Sequence, residues 1–212
     1  MTFKWFLPAA ALTALILAGC ASNSASPEKY VQSANKIAWS IPVAEVLQQP
    51  IDGKIYTRYT LWVPTREISS LNIQQGRILP PGSEVEAVFA NERRLVLKDM
   101  SGHEYEIFFE PGEQLCDMRA FIRQLLTLDP PEKEFADLRP AMRDYAMRGE
   151  VVPGMNRREV TVAYGPPAKS RTPLAENDTW IYWIAQDRTI RVVFRGELVR
   201  SVLNINEDQY VR

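Results

Sequence analysis

Pro153-Gly154-Met155-Asn156-Arg157-Arg158-Glu159-Val160 is the stretch on which the fold of this chain turns. Asn156 can cap a helix, because its short side-chain carbonyl accepts an N–H that the first turn leaves without an intrahelical partner. Glu159, three residues on, can reach back to the N–H of Asn156 and complete a capping box. Val160, Ala163 and Tyr164 give the helix an apolar side. Gly165 stops it, since glycine enters the left-handed region without a Cβ penalty. Pro166-Pro167 prevents its resumption.

Outward from this helix the pattern changes on both sides. After a polar loop from Ala168 to Asp178, Thr179-Trp180-Ile181-Tyr182-Trp183-Ile184 reads as a strand. Thr189 to Arg195 reads as another, and Arg195-Gly196-Glu197 turns into a third, Leu198 to Ile205. β-branched and aromatic residues dominate all three. Upstream, Glu132 to Arg148 reads as helical with Phe135, Leu138, Met142 and Tyr145 apolar; Pro140 must kink it or split it in two, and Gly149 ends it. Residues 131–212 are therefore expected to form an α-α-β-β-β module ending in an antiparallel meander. Side chains alternate along a strand, so Trp180 and Tyr182 share one face and Ile181 and Trp183 the other. One face must cover the helices, and exposed aromatics on the other would suit an interface. Trp180, Tyr182, Arg188, Arg191 and Arg195 form the candidate binding set, the arginines facing lipid phosphate or a partner's acids. The competing expectation is that the aromatics are core and the arginines ordinary solvated charge.

Residues 30–112 read as a β-rich module, SH3-like by analogy or a small barrel. Tyr30 to Leu47 has no clean period and allows a strand near Ile37 to Ile41 or a short helix near Val43 to Leu47. Ile55 to Val63 is dense in β-branched and aromatic residues. Val85-Ala87-Phe89, Leu95-Leu97 and Tyr105-Ile107-Phe109 follow period two, the mark of half-buried strands. Gly76, Pro80-Pro81-Gly82, Asn91-Glu92 and Ser101-Gly102 punctuate them. Residues 113–130 connect the modules. There Leu115, Met118, Ile122 and Leu125 recur at helical spacing with Phe121 beside them, and Asp129-Pro130-Pro131 ends the helix. The whole is α+β.

Composition narrows the function. Net charge is −1, with no long basic run, so nothing marks a nucleic-acid surface. The single histidine, His103, sits in a predicted hairpin turn. Glu104 and Glu106 share a strand face, as solvated carboxylates commonly do. With no nucleophile–base pair, metal cluster or phosphate loop in the sequence, no catalytic residue, metal or cofactor is expected.

The first residues form an export signal: Lys4, an apolar run from Phe6 to Ala18, and small residues before Cys20. The run is about 13 residues against the roughly 20 that span a bilayer. Leu17-Ala18-Gly19-Cys20 resembles the lipobox of bacterial lipoproteins. That resemblance implies removal of residues 1–19, a diacylglyceryl thioether on Cys20 and acylation of its new amino terminus. Residues 20–29 then serve as a polar tether. Ala21-Ser22, in place of Asp after the cysteine, implies the outer membrane with the body facing the periplasm. Lipidation would leave Cys116 as the other cysteine, without an intrachain partner; such a thiol is usually buried and inert.

Gly154-Met155-Asn156, Val160, Gly165-Pro166-Pro167, Trp180-Ile181-Tyr182 and Val192-Val193-Phe194-Arg195-Gly196 together resemble the BamE-like (SmpA/OmlA) outer-membrane lipoproteins, over Phe135 to Ile205. Asn156 stands for the family's usual threonine and keeps the cap. The resemblance implies a non-enzymatic accessory role in outer-membrane β-barrel assembly, with contacts to another lipoprotein of the complex and to phosphatidylglycerol. The alternative is a lipid-anchored periplasmic module that grips a peptide, glycan or secreted protein through the β-rich region, where Tyr56, Tyr59 and Trp62 lie.

Overall fold

A computed structural model describes residues 40–185 and 187–206. The expected signal peptide, Cys20, the expected tether and the start of the strand expected near Ile37 to Ile41 lie outside the described residues. All the described residues belong to one compact unit.

The chain is mixed α+β. It begins with a short helix, α1 (Val43–Leu47), as the helical reading of this segment expects. Val46 turns inward at 5% exposure. Two strands follow, β1 (Ile55–Thr57) and β2 (Leu61–Val63), then β3 (Glu67–Ser69), β4 (Arg77–Leu79), β5 (Glu84–Ala90), β6 (Arg94–Asp99) and β7 (Glu104–Phe108). Leu95, Leu97, Tyr105 and Ile107 point into the core, as their alternation requires. In β5 the register shifts between Ala87 and Phe89, so Val85 and Ala90 are the buried ends of the strand.

The expected barrel does not close. Six strands form one open sheet in the order β3-β7-β6-β5-β1-β8, where β8 is Leu126–Thr127. β2 pairs with β4 in a separate ribbon. The physical reason lies at Arg58-Tyr59-Thr60. The expected strand from Ile55 to Val63 breaks there: the Arg58 N–H still continues the β1–β8 register to Leu125 O at 2.8 Å, but the Thr60 N–H leaves the sheet for Val162 O at 3.0 Å. The edge strands β3 and β8 are three and two residues long, too short to coil round and meet. Tyr59 is buried at 3%, which removes one of the aromatics expected on a binding face.

The connecting helix also differs. It is a turn, α2 (Pro111–Gln114), and a helix, α3 (Met118–Leu125), capped by the Asp117 side chain. Leu115 takes a left-handed conformation between them (φ 50°) and is exposed, whereas Met118, Phe121, Ile122 and Leu125 are buried. Next comes α4 (Pro131–Glu134), then α5 (Pro140–Met147). Pro140 splits the expected helix, sitting where a helix begins and its missing N–H costs nothing.

The remaining elements are α6 (Arg157–Tyr164), β9 (Thr179–Ala185), β10 (Arg188–Arg195) and β11 (Leu198–Asn206). The strands form a separate antiparallel sheet ordered β11-β10-β9. One hydrophobic cluster lies between α1, the six-stranded sheet and α3. A second lies between α5, α6 and the three-stranded sheet. No helix of the described residues is long and apolar enough to cross a membrane.

Candidate functional site

The site is built around the N-terminus of α6. The Asn156 side chain accepts the N–H of Glu159 at 2.9 Å, and the Glu159 carboxylate accepts the N–H of Asn156 at 2.8 Å. The expected capping box is present. Glu159 has no exposed surface. Burial alone would raise its pKa, but the Arg139 guanidinium and the N–H groups of Asn156 and Arg139 outweigh burial and hold it below the usual glutamate value. Arg139 Nε donates to Glu159 at 2.8 Å, and its terminal nitrogen donates to Gly154 O at 2.6 Å. One carboxylate thus joins α5, α6 and the Gly154 turn.

That turn is bonded to β11. Gly154 N–H donates to Val199 O at 2.8 Å, and Val199 N–H donates to Met155 O at 2.7 Å. Asn156 forms a bridge with Leu198. Met155 and Val160 are fully buried beneath. The motif therefore clamps the first two residues of β11. From Arg200 to Asn206, β11 is the sheet's edge, with no strand of the described residues beyond it.

The candidate binding residues separate. Trp180 and Tyr182 are 3% and 2% exposed, so they do not present a binding surface. Trp180 meets Phe194 edge-on at 5.0 Å, under the Arg157 guanidinium, which lies 4.1 Å from the Phe194 ring. Tyr182 packs edge-on against Tyr164, and its hydroxyl donates to Gly165 O at 2.9 Å. They are core because their face of β9 is the one that must cover α6. Arg188 and Arg195 are exposed at opposite ends of β10, and Arg191 is half-buried on the outer face. Beside Arg191 in register lie Ile181 on one side and Leu203, 45% exposed, on the other. Trp183, on the outer face, is half-buried under Arg171, and its carbonyl accepts Gln74 N–H at 2.9 Å.

Arg200 and Leu203 were not among the expected site residues. Their signal was positional: they belong to the last strand of a meander, which has one neighbour unless something else pairs with it. Gly196 takes a left-handed φ of 62° in the hairpin, as its place between two strands requires, and Pro167 is half-buried after α6.

Two contacts fasten this region to the first sheet. Asn72, buried at 5%, donates from its amide to Thr60 O and Tyr164 O (2.8 and 2.9 Å) and accepts Trp62 N–H at 2.9 Å. Glu134 accepts from both Arg58 and Arg158, each at 3.1 Å. A cleft of about 400 Å³ beside α1 is lined by Leu47, Arg58, Arg123 and Leu128, among others. Arg58 there is already held by Leu126 O (3.0 Å) and Glu134. Glu104 and Glu106 are ion-paired with Arg66 and Arg94. His103 is exposed in its turn, as expected. Cys116 is half-buried, and burial raises its thiol pKa. Comparison with known proteins adds no relative: no family model, curated protein or solved structure matches the chain.

Proposed function

We propose that this chain is a non-enzymatic lipoprotein of the outer membrane, held at the periplasmic face by Cys20, and that its BamE-like C-terminal part is an accessory binding module of an envelope assembly complex. The observation that carries the reading is the edge of β11. The segment Gly154-Met155-Asn156, on which the family resemblance rests, clamps the start of that strand, and no strand of the described residues lies beyond the stretch after it. A lipid anchor strengthens such a site without new contacts, because confinement to one membrane face raises the effective concentration of a partner held there.

The test is purification of the full-length lipidated protein in mild detergent, followed by identification of what accompanies it. Barrel-assembly components are expected at near-stoichiometric yield, and a Cys20→Ala variant should retain much less of them. Absence of every barrel-assembly component from the lipidated protein overturns the reading.

A further inference from the structure

We propose that β11 pairs with β11 of a second copy of this chain, antiparallel about a two-fold axis at Leu203, which joins two three-stranded sheets into one of six strands. This deepens the reading of the β11 edge as a binding site, and rests on it, by naming what meets that edge. Unprotected strand edges pair with other chains; short strands, charges and prolines blunt them. The edge strands β3 and β8 are three and two residues long. At the β9 edge, the Ile181 N–H already donates to Thr172 Oγ at 3.1 Å. β11 is nine residues long, and beyond the clamp Ser201-Val202-Leu203-Asn204-Ile205 holds no charge and no proline.

Charge selects the occupant. At the start of this stretch Arg195 and Arg200 outnumber Glu197, which itself lies 3.7 Å from Arg157. At its end Asp187, Glu207 and Asp208 outnumber Arg188, which stands opposite Asn206 in register. The edge is therefore positive at one end and negative at the other. A strand that is acidic or basic throughout meets like charge at one of them. An antiparallel copy meets opposite charge at both. A two-fold axis normal to the sheet sets one residue opposite itself. Leu203, 45% exposed, is the apolar residue on which such an axis buries most. Ser201 then faces Ile205 and Val202 faces Asn204, and the pairing asks nothing of Asn206. A pairing of this length buries far less than the roughly 1,200 Å² of a stable interface, so it is weak in free solution. Confinement by a lipid anchor raises the local concentration that it needs.

The test uses the full-length lipidated chain in mild detergent. Two charge variants are made, Arg200→Glu and the double Glu207→Lys/Asp208→Lys, each checked for folding by its melting curve. In sedimentation at low salt the wild type should show a concentration-dependent dimer. Each variant alone should associate about tenfold more weakly, because it repels its own copy at both ends. Mixed, the two variants should recover the wild-type association, since each end again meets its opposite, and high salt should erase these differences. In a Cys116→Ser background, oxidation should link Leu203→Cys chains to one another, and Asn204→Cys chains, off the axis, far less. A monomer at every concentration, a mixture no tighter than either variant alone, or equal linking at positions 203 and 204 overturns the proposal. If barrel-assembly components accompany a monomeric wild type, the strand pairing fails while the accessory reading stands. If the dimer forms and no barrel-assembly component accompanies it, the accessory reading fails and the pairing stands.

Discussion

Glu159 is a carboxylate without exposed surface, and the cost of burying it is offset by what it joins. Because its proton is held less tightly in the folded chain than in the unfolded one, the unfolded state takes up more protons as pH falls. Stability from this group is complete above the ordinary glutamate value of 4.5 and is lost as pH drops through the lower folded value. Thermal melts from about pH 7 down to about pH 3 should show the wild type losing more stability than Glu159→Gln. At neutral pH that variant should be less stable by about 2 kcal/mol, because it weakens a buried charge-assisted network. An identical pH slope for the two proteins would deny Glu159 this role. The capping box was legible in the sequence because Asn156 and Glu159 are three residues apart. Arg139, 20 residues from Glu159, was not. Nothing local distinguishes it from Arg143 or Arg148.

Among the elements, α6 is the one whose two ends do different work. Its N-terminus is satisfied locally, and Asn156→Ala should cost about 1 kcal/mol in chemical denaturation. Its C-terminus is satisfied from afar: Val162 O and Tyr164 O accept from Thr60 and Asn72. Gly165 follows with φ 79° and ψ 173°, a region that belongs almost wholly to glycine. A Cβ there would stand 2.9 Å from two ring carbons of Tyr59. Gly165→Ala should therefore cost at least about 2 kcal/mol, more than loss of the N-cap. β6, β7 and the C-terminal meander were readable because period-two alternation reports burial directly. The break in Ile55 to Val63 and the left-handed Leu115 were not, since β-propensity runs on through Tyr59-Thr60 and helical spacing through Leu115. What interrupts the first is a hydrogen bond to a residue 102 positions away. The aromatic strand β9 was found, but which of its faces is core was decided by where α6 packs.

For the molecule as a whole, the two hydrophobic clusters are coupled through Asn72 and through Glu134 shared by Arg58 and Arg158. Asn72→Ala leaves Thr60 O, Tyr164 O and Trp62 N–H without their partner, and the expected loss is about 2–4 kcal/mol. Unfolding of the wild type should be one transition by circular dichroism and by tryptophan fluorescence. In Asn72→Ala the two probes should part; coincident, unshifted curves would show that the joint carries little. Deletion of residues 54–112 is a poor way to assign function to either part, because it strips α6 of the groups that satisfy its last carbonyls.

The same joint bears on the order in which the chain is made. Asn72 emerges from the ribosome long before Tyr164, 92 residues behind it in synthesis, and Thr60 waits longer still. Until then the early segment holds polar groups whose native acceptors do not yet exist. The first hydrophobic cluster, built from residues 43–126, can therefore assemble before its polar joint to the later residues is closed.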